Sequence, residues 1–327
     1  MKIKIPEKYL KPLDYVYILR PSLFFAVWII TLAGYESGKL YSSGESTWFN
    51  LDLNIRLLVQ FILITLSTGG MFIWNQLQDM ASDKENKKCF LVSENYIPVE
   101  IAKKYALVLT VVPALPFLIL DLQIFGLLVV LELVWGYFYN FQPFSWKDKP
   151  IFGVLANLLA GILLMLIGWK MSGRIELVAY QKFLPYLCAW GAVSMLTTIP
   201  DAKGDVKQDK KTIALLVGPK IIVWSSLVLV IFGFVLGMKE NDPVITHGIL
   251  LSFPLYVIAS FRPSQIWVLR TIRYSILFLA IFLSVEYPFF FLALGLNYYI
   301  SRFYYDQRFG LDYPTFHVLE EENDSHQ

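Results

Sequence analysis

Long apolar runs that contain no charge leave this chain few folds to choose from. Leu57–Gln78, Tyr105–Leu120, Pro150–Trp169 and Phe183–Pro200 hold no Asp, Glu, Lys or Arg. Leu122–Phe141 has only Glu132, and Ile213–Met238 only Lys220, near its start. Pro21–Tyr35 and Pro243–Phe261 are two more such runs. A last one, Ile266–Tyr305, is interrupted at Glu286-Tyr287-Pro288. A helix needs about 20 mostly apolar residues to cross a bilayer. Lipid offers the backbone no partner, so each run must be a helix that bonds within itself. The chain is expected to be an all-α, polytopic membrane bundle forming a single domain over 1–327. Nine transmembrane helices are expected, with a short tenth or a re-entrant piece where Ile266–Tyr305 breaks. The first run starts past residue 20 and leads into Tyr35-Glu36-Ser37, so no cleaved signal peptide is expected.

Charge supplies the orientation. The N-terminal segment 1–18 with Arg20, the loops near 84–104, 147–149, 203–220 and 262–273, and the C-terminal end hold 22 of the 28 Lys and Arg. The positive-inside bias puts these segments, and the N-terminus, in the cytoplasm. Residues 312–327 read as a polar tail, acidic from Glu320 onward and disordered by composition. A net charge of +2 argues against a nucleic-acid partner, and 17% charged residues compares with about 25% in soluble domains. Cys89 and Cys188 make no disulfide framework, and three scattered histidines make no metal-ligand spacing. No internal repeat is evident, and nothing points to an obligate protein partner.

Two acidic ladders stand where spans emerge into the cytoplasm. Asn75, Asp79 and Asp83 are spaced i, i+4, i+8, which places them on one helical face. Asp201, Asp205 and Asp209 repeat that spacing over a hundred residues later. Each ladder is expected at the C-terminal end of its helix, where the macrodipole disfavours anions. Like charges one turn apart repel further. Such carboxylates call for cations between them. Magnesium fits, as a hard ion with oxygen ligands that binds a few carboxylates plus phosphate oxygens. Diphosphate bridged by two such ions is the natural third partner. Lysines follow both ladders: Lys84, Lys87 and Lys88 after the first, Lys203, Lys207, Lys210 and Lys211 after the second. Most serve as topology determinants at the headgroups. Arg20 and Lys147, outside the dense lysine runs and beside aromatic residues, are the better candidates to neutralise diphosphate.

At these ladders the chain resembles the UbiA superfamily of intramembrane prenyltransferases. Asn75-x-x-x-Asp79-x-x-x-Asp83 is similar to its first aspartate motif. Asp201-x-x-Gly204-Asp205, with Lys211-Thr212 and Gly218 downstream, is similar to its second. Leu19-Arg20-Pro21 and Tyr139-x-x-x-Pro143 followed by Lys147-Asp148-Lys149-Pro150 add to the likeness, which runs from about residue 19 to 220. Asn75-Gln76-Leu77-x-Asp79 and Ile199-Pro200-Asp201 lean towards the homogentisate-prenyltransferase branch. The chain departs from the family at Lys88-Cys89-Phe90-Leu91-Val92-Ser93-Glu94, and at Asp209, where a Gly is frequent.

The resemblance implies nine helices around a central cavity capped by the two motifs, with a lateral, lipid-open tunnel for the isoprenoid tail. It implies that Asn75, Asp79, Asp83, Asp201 and Asp205 hold Mg²⁺. Arg20, Lys147 and Lys211 would help to bind diphosphate, with Asp209 on the substrate side and Tyr139 orienting donor or acceptor. The implied partners are an isoprenyl diphosphate, an aromatic or other lipophilic acceptor, and the bilayer. Leaving a long isoprenoid in lipid is consistent with about 0.8 kcal/mol per buried methylene. Trp74, Phe138, Tyr139, Phe141 and Trp146 are candidates to face an allylic cation. A second reading keeps the ionisation without an external acceptor, as in a membrane terpene cyclase of the same superfamily. A third, an ion-coupled transporter, would place carboxylates at the bilayer midplane among inverted repeats, unlike these ladders.

Overall fold

The computed structural model describes residues 5–43, 54–85, 89–207 and 211–315, and every regular element within them is helical. Asp209, Lys87, Lys88, Lys210 and the tail beyond 315 lie outside the described residues. A short helix α1 (Glu7–Tyr17) precedes α2 (Pro21–Ser43) and α3 (Ile55–Gln78). Asn54 caps α3, its side chain accepting from the Leu57 N–H at 3.2 Å. Two small helices follow, α4 (Met80–Glu85) and α5 (Phe90–Ser93), and then α6 (Val99–Val111) and α7 (Phe117–Leu120). The expected span Tyr105–Leu120 is therefore not continuous. Pro113 and Pro116 have no N–H for the Leu109 and Val112 carbonyls, and the chain turns between them.

Asp121 caps α8 (Leu122–Leu131), which runs directly into a π-helix over Glu132–Phe138. A 3-10 turn at Trp146–Asp148 leads to α9 (Pro150–Ser172) and α10 (Val178–Leu196). The chain continues through α11 (Thr198–Lys207), α12 (Ile213–Val217), α13 (Pro219–Lys239) and α14 (Pro243–Phe261). Ile266–Tyr305 resolves into two helices, α15 (Gln265–Glu286) and α16 (Pro288–Phe309), of 22 residues each. Tyr287 (φ −125°, ψ 83°), kept out of the helical region by the proline after it, separates them. At 22 residues α16 is not short. Among the described residues, seven helical segments are long and apolar enough to cross a membrane, and Leu122–Phe138 is a shorter apolar helix.

The bundle closes through small residues. α2 lies along α9, and a Cβ on Gly168 would run into the Thr31 carbonyl while one on Gly34 would meet that of Met165. At one end of the bundle Lys170 pairs with Asp121 at 3.2 Å and Lys182 with Glu240 at 3.0 Å. At the other end α1 is clasped to α16. Tyr304 donates to Asp14 Oδ1 at 2.6 Å, and Arg308 forks onto both oxygens of Asp14 at 3.1 and 3.0 Å. The Tyr17 and Tyr304 rings stack.

Candidate active site

Both ladders form at interruptions in helices. α3 lapses at Asp79 (φ −100°, ψ 11°) and resumes as α4. The one-turn spacing survives this, because the Asp79 N–H bonds to the Asn75 carbonyl at 3.0 Å and the Asp83 N–H to the Asp79 carbonyl at 2.7 Å. In the second ladder Pro200 has no N–H for the Leu196 carbonyl, so α10 ends and α11 begins. Asp201 consequently lies in the first turn of α11. This corrects the expectation that both ladders crown helix C-termini: at Asp201 the local dipole favours the carboxylate.

α4 packs on α11, so the ladders stand side by side despite their separation in sequence. Asp205 is buried, and Asp83 and Asp201 are half-buried. Asp79 Oδ2 accepts from Asn75 Nδ2 at 2.9 Å and is paired with Lys147 Nζ at 2.8 Å. Asn75 Nδ2 also donates to Asn140 Oδ1 at 3.0 Å, and the buried Asn140 is itself fixed on the Trp135 and Gly136 carbonyls. The amide nitrogen of Asn75 is thus committed to protein, while its Oδ1 accepts no hydrogen bond among the described residues. Tyr139 lies beside the Asn157 side chain, within electrostatic reach of Asp79, Asp148 and Asp201.

The turn that carries Lys147 ties these parts together. The Lys147 N–H bonds to the Tyr139 carbonyl at 3.2 Å, and the Lys211 N–H to the Asp148 carbonyl at 3.3 Å. Lys211 is itself exposed. Trp74 meets Phe141 edge-on, and Phe138 stacks on Trp146, so these aromatics buttress the turn. Arg20 holds a left-handed backbone (φ 56°) just before Pro21 and is half-buried, with Asp83, Cys89, Tyr305 and Tyr313 around it.

The structure therefore groups Asn75, Asp79, Tyr139, Lys147 and Asp201, brings Asp83 within electrostatic reach of Arg20, and attaches Lys211 through its backbone. Sequence reasoning missed Asn140, Asn157, Tyr305 and Tyr313. Asn140 lay inside the Tyr139-x-x-x-Pro143 string and could have been found there; the other three carried no local signal. Among the described residues no three His, Cys, Asp or Glu side chains are grouped so as to hold a metal by themselves. The ladders adjoin without closing, and the Lys147 ammonium stands where Asp79 needs positive charge. The donor set is all oxygen, which fits a hard divalent cation.

The UbiA prenyltransferase family model matches residues 22–275. The chain belongs to the UbiA prenyltransferase family. It is 26% identical over 273 residues to 2-acyl-4-prenylphloroglucinol 6-prenyltransferase of Humulus lupulus, a match that takes in 79% of this chain and 65% of that protein. It is 27% identical over 194 residues to digeranylgeranylglyceryl phosphate synthase of Methanobrevibacter smithii, covering 55% of this chain and 65% of the relative. Among solved structures, a UbiA homolog from Archaeoglobus fulgidus bound to GPP and Mg²⁺ superposes with a TM-score of 0.60 at 18% identity, over 84% of this chain and 99% of that one. At that identity the likeness is one of fold. In this UbiA family member α16 lies beyond the matched range, yet it brings Tyr305 within electrostatic reach of Arg20.

Proposed function

We propose that this chain is a Mg²⁺-dependent intramembrane prenyltransferase that moves an isoprenyl group from an isoprenyl diphosphate to an aromatic or other lipophilic acceptor. One observation carries the reading: α4 and α11 pack together, bringing the two ladders to one place, with Lys147 seated on Asp79. The named activities of the relatives and the GPP and Mg²⁺ bound by the archaeal homolog support it. The side-chain oxygens of Asn75, Asp79, Asp83, Asp201 and Asp205 would hold two Mg²⁺ ions. Bound magnesium would draw charge from the leaving diphosphate.

The chain's own residues do the rest. Asn140 sets the Asn75 amide so that its carbonyl oxygen serves as a donor atom. Lys147 turns from Asp79 to a phosphate oxygen, and Arg20 meets the diphosphate on the Asp83 side. Tyr139, beside Asn157, orients the substrate below them. The apolar helices keep the isoprenyl tail out of water. In this reading α6–α7, α8 with its π-helix, and α16 also cross the bilayer, and the N-terminus and both ladders face the cytoplasm.

The test is to incubate purified protein with Mg²⁺ and a panel of isoprenyl diphosphates, with and without phenolic acceptors, and to identify the products. Prenylated acceptor is the expected result. Cyclised product from donor alone would make it a cyclase, and no diphosphate release from any donor would overturn the reading.

A further inference from the structure

Glu132 is a carboxylate inside a membrane span that the site above does not use. It opens the π-helix Glu132–Phe138, a rare element that is frequent at functional sites. Ionisable groups at such depth are rare and mark substrate or ion pathways. The seam that this segment forms with α3 has a regular spacing. Asn140 meets Asn75, Gly136 faces Met71, and Glu132 Oε1 accepts from Ser67 Oγ at 2.8 Å. Four residues separate each rung from the next on both sides. The Ser67–Glu132 rung therefore lies eight residues, roughly 12 Å at 1.5 Å per residue, deeper than the Asn75–Asn140 rung.

That depth is informative. A diphosphate held at the ladders would reach through the first part of the interval, and its reacting carbon would then lie in the second part, above Glu132. Phe72 and Trp135, edge to face at 5.5 Å, flank that part, and Trp135 is fixed by Nε1 donating to Asn157 Oδ1 at 3.0 Å. Ser67 is fully buried and Glu132 half-buried. Ser67 occupies one carboxylate oxygen, and Glu132 Oε2 accepts no hydrogen bond among the described residues.

We propose that Glu132 and Ser67 form the acceptor-recognition site, and that the acceptor is a lipophilic molecule carrying a hydroxyl. The O–H donates to Glu132 Oε2, which holds the acceptor's reacting atom between this rung and the diphosphate. A hydroxyl on an apolar body is the donor that reaches this depth without carrying a charge through lipid. An ether of the same shape would leave the carboxylate unpaired, and sites built to bond a hydroxyl reject such analogues strongly. The assignment rests on the prenyltransferase reading and deepens it.

The experiment compares acceptors with their O-methyl ethers in the purified enzyme. Wild type should favour the free hydroxyl by at least about a hundredfold in kcat/KM. Glu132→Gln should reduce that preference to about tenfold or less and raise the acceptor KM, with the donor KM moving less than twofold. Ser67→Ala, which leaves the carboxylate in place, should weaken the preference in the same direction and serves if Glu132→Gln does not fold. Wild-type discrimination retained in both variants overturns the proposal. So does an equal rise in donor and acceptor KM, the mark of a packing role. A wild type that releases no diphosphate from any donor overturns the prenyltransferase reading itself, and this assignment with it.

Discussion

Asp79 is the residue on which most of the site converges, since an amide and an ammonium share its Oδ2. Lys147 and Asp79 are 9% and 16% exposed at the side chain, so removing either leaves a poorly solvated charge behind. Breaking a buried pair costs about 3 kcal/mol or more. Asp79→Asn should therefore lower the melting temperature in detergent clearly, and the double change Asp79→Asn with Lys147→Met should restore part of the loss. Equal melting of the single and double variants would show that the pair contributes nothing. For turnover, Asp79→Asn and Asp201→Asn should each cost about 10²- to 10³-fold, the scale of a lost electrostatic contact to a leaving group. Together they should cost scarcely more than either alone, because residues that act as a unit are non-additive. Multiplicative losses in single-turnover assays would mean two independent sites. The one-turn spacing of Asn75, Asp79 and Asp83 could be read from the sequence because it is local. Asn140 stood inside the Tyr139-x-x-x-Pro143 string, but its bond to Asn75, like the role of Asn157, depends on which helix lies opposite.

At the scale of the elements, prolines decide where helices stop. Pro200 parts α10 from α11, Pro288 parts α15 from α16, and Pro113 with Pro116 divides a run that hydropathy reads as one span. Apolar content foretold the helices, and it failed at these boundaries because it does not register a missing N–H. The lapse in helix α3 at Asp79 has no proline nearby, and nothing in the local sequence announces it. Helix contacts were also illegible in advance, since a glycine in an apolar run looks the same whether it faces lipid or a neighbour. Gly168 faces a neighbour: its α-hydrogen sits against the α2 backbone at Thr31. Gly168→Leu should destabilise the protein by about 3 kcal/mol through overpacking, read as earlier thermal aggregation in detergent. Gly126, with nothing within 4 Å of a built Cβ, should accept alanine without loss and serves as the control.

Over the whole molecule, orientation and closure are the properties to test. Single cysteines placed at Lys84 and Lys211, in a background lacking Cys89 and Cys188, should react with a membrane-impermeant thiol reagent only once the cytoplasmic side is opened. Labelling from opposite sides would separate the ladders and end the shared-site reading. The clasp of α1 on α16 is nearly buried, with Arg308 and Asp14 side chains 6% and 4% exposed. Asp14→Asn and Arg308→Ala should each cost about 3 kcal/mol of thermal stability. Their combination should fall short of the sum by about 1–3 kcal/mol, which a double-mutant cycle measures. This clasp also has a consequence for how the protein is made. Asp14 and Tyr304 are 290 residues apart, and translation at about 5–20 residues per second puts roughly 15 to 60 s between their syntheses. Throughout that interval the first helix has no lock, and Arg20, three residues beyond Tyr17, has no Tyr305 beside it. A ribosome-bound chain stalled before α16 holds both aspartate ladders but only part of the surroundings of Arg20, so diphosphate binding should be gained late, when α16 leaves the ribosome.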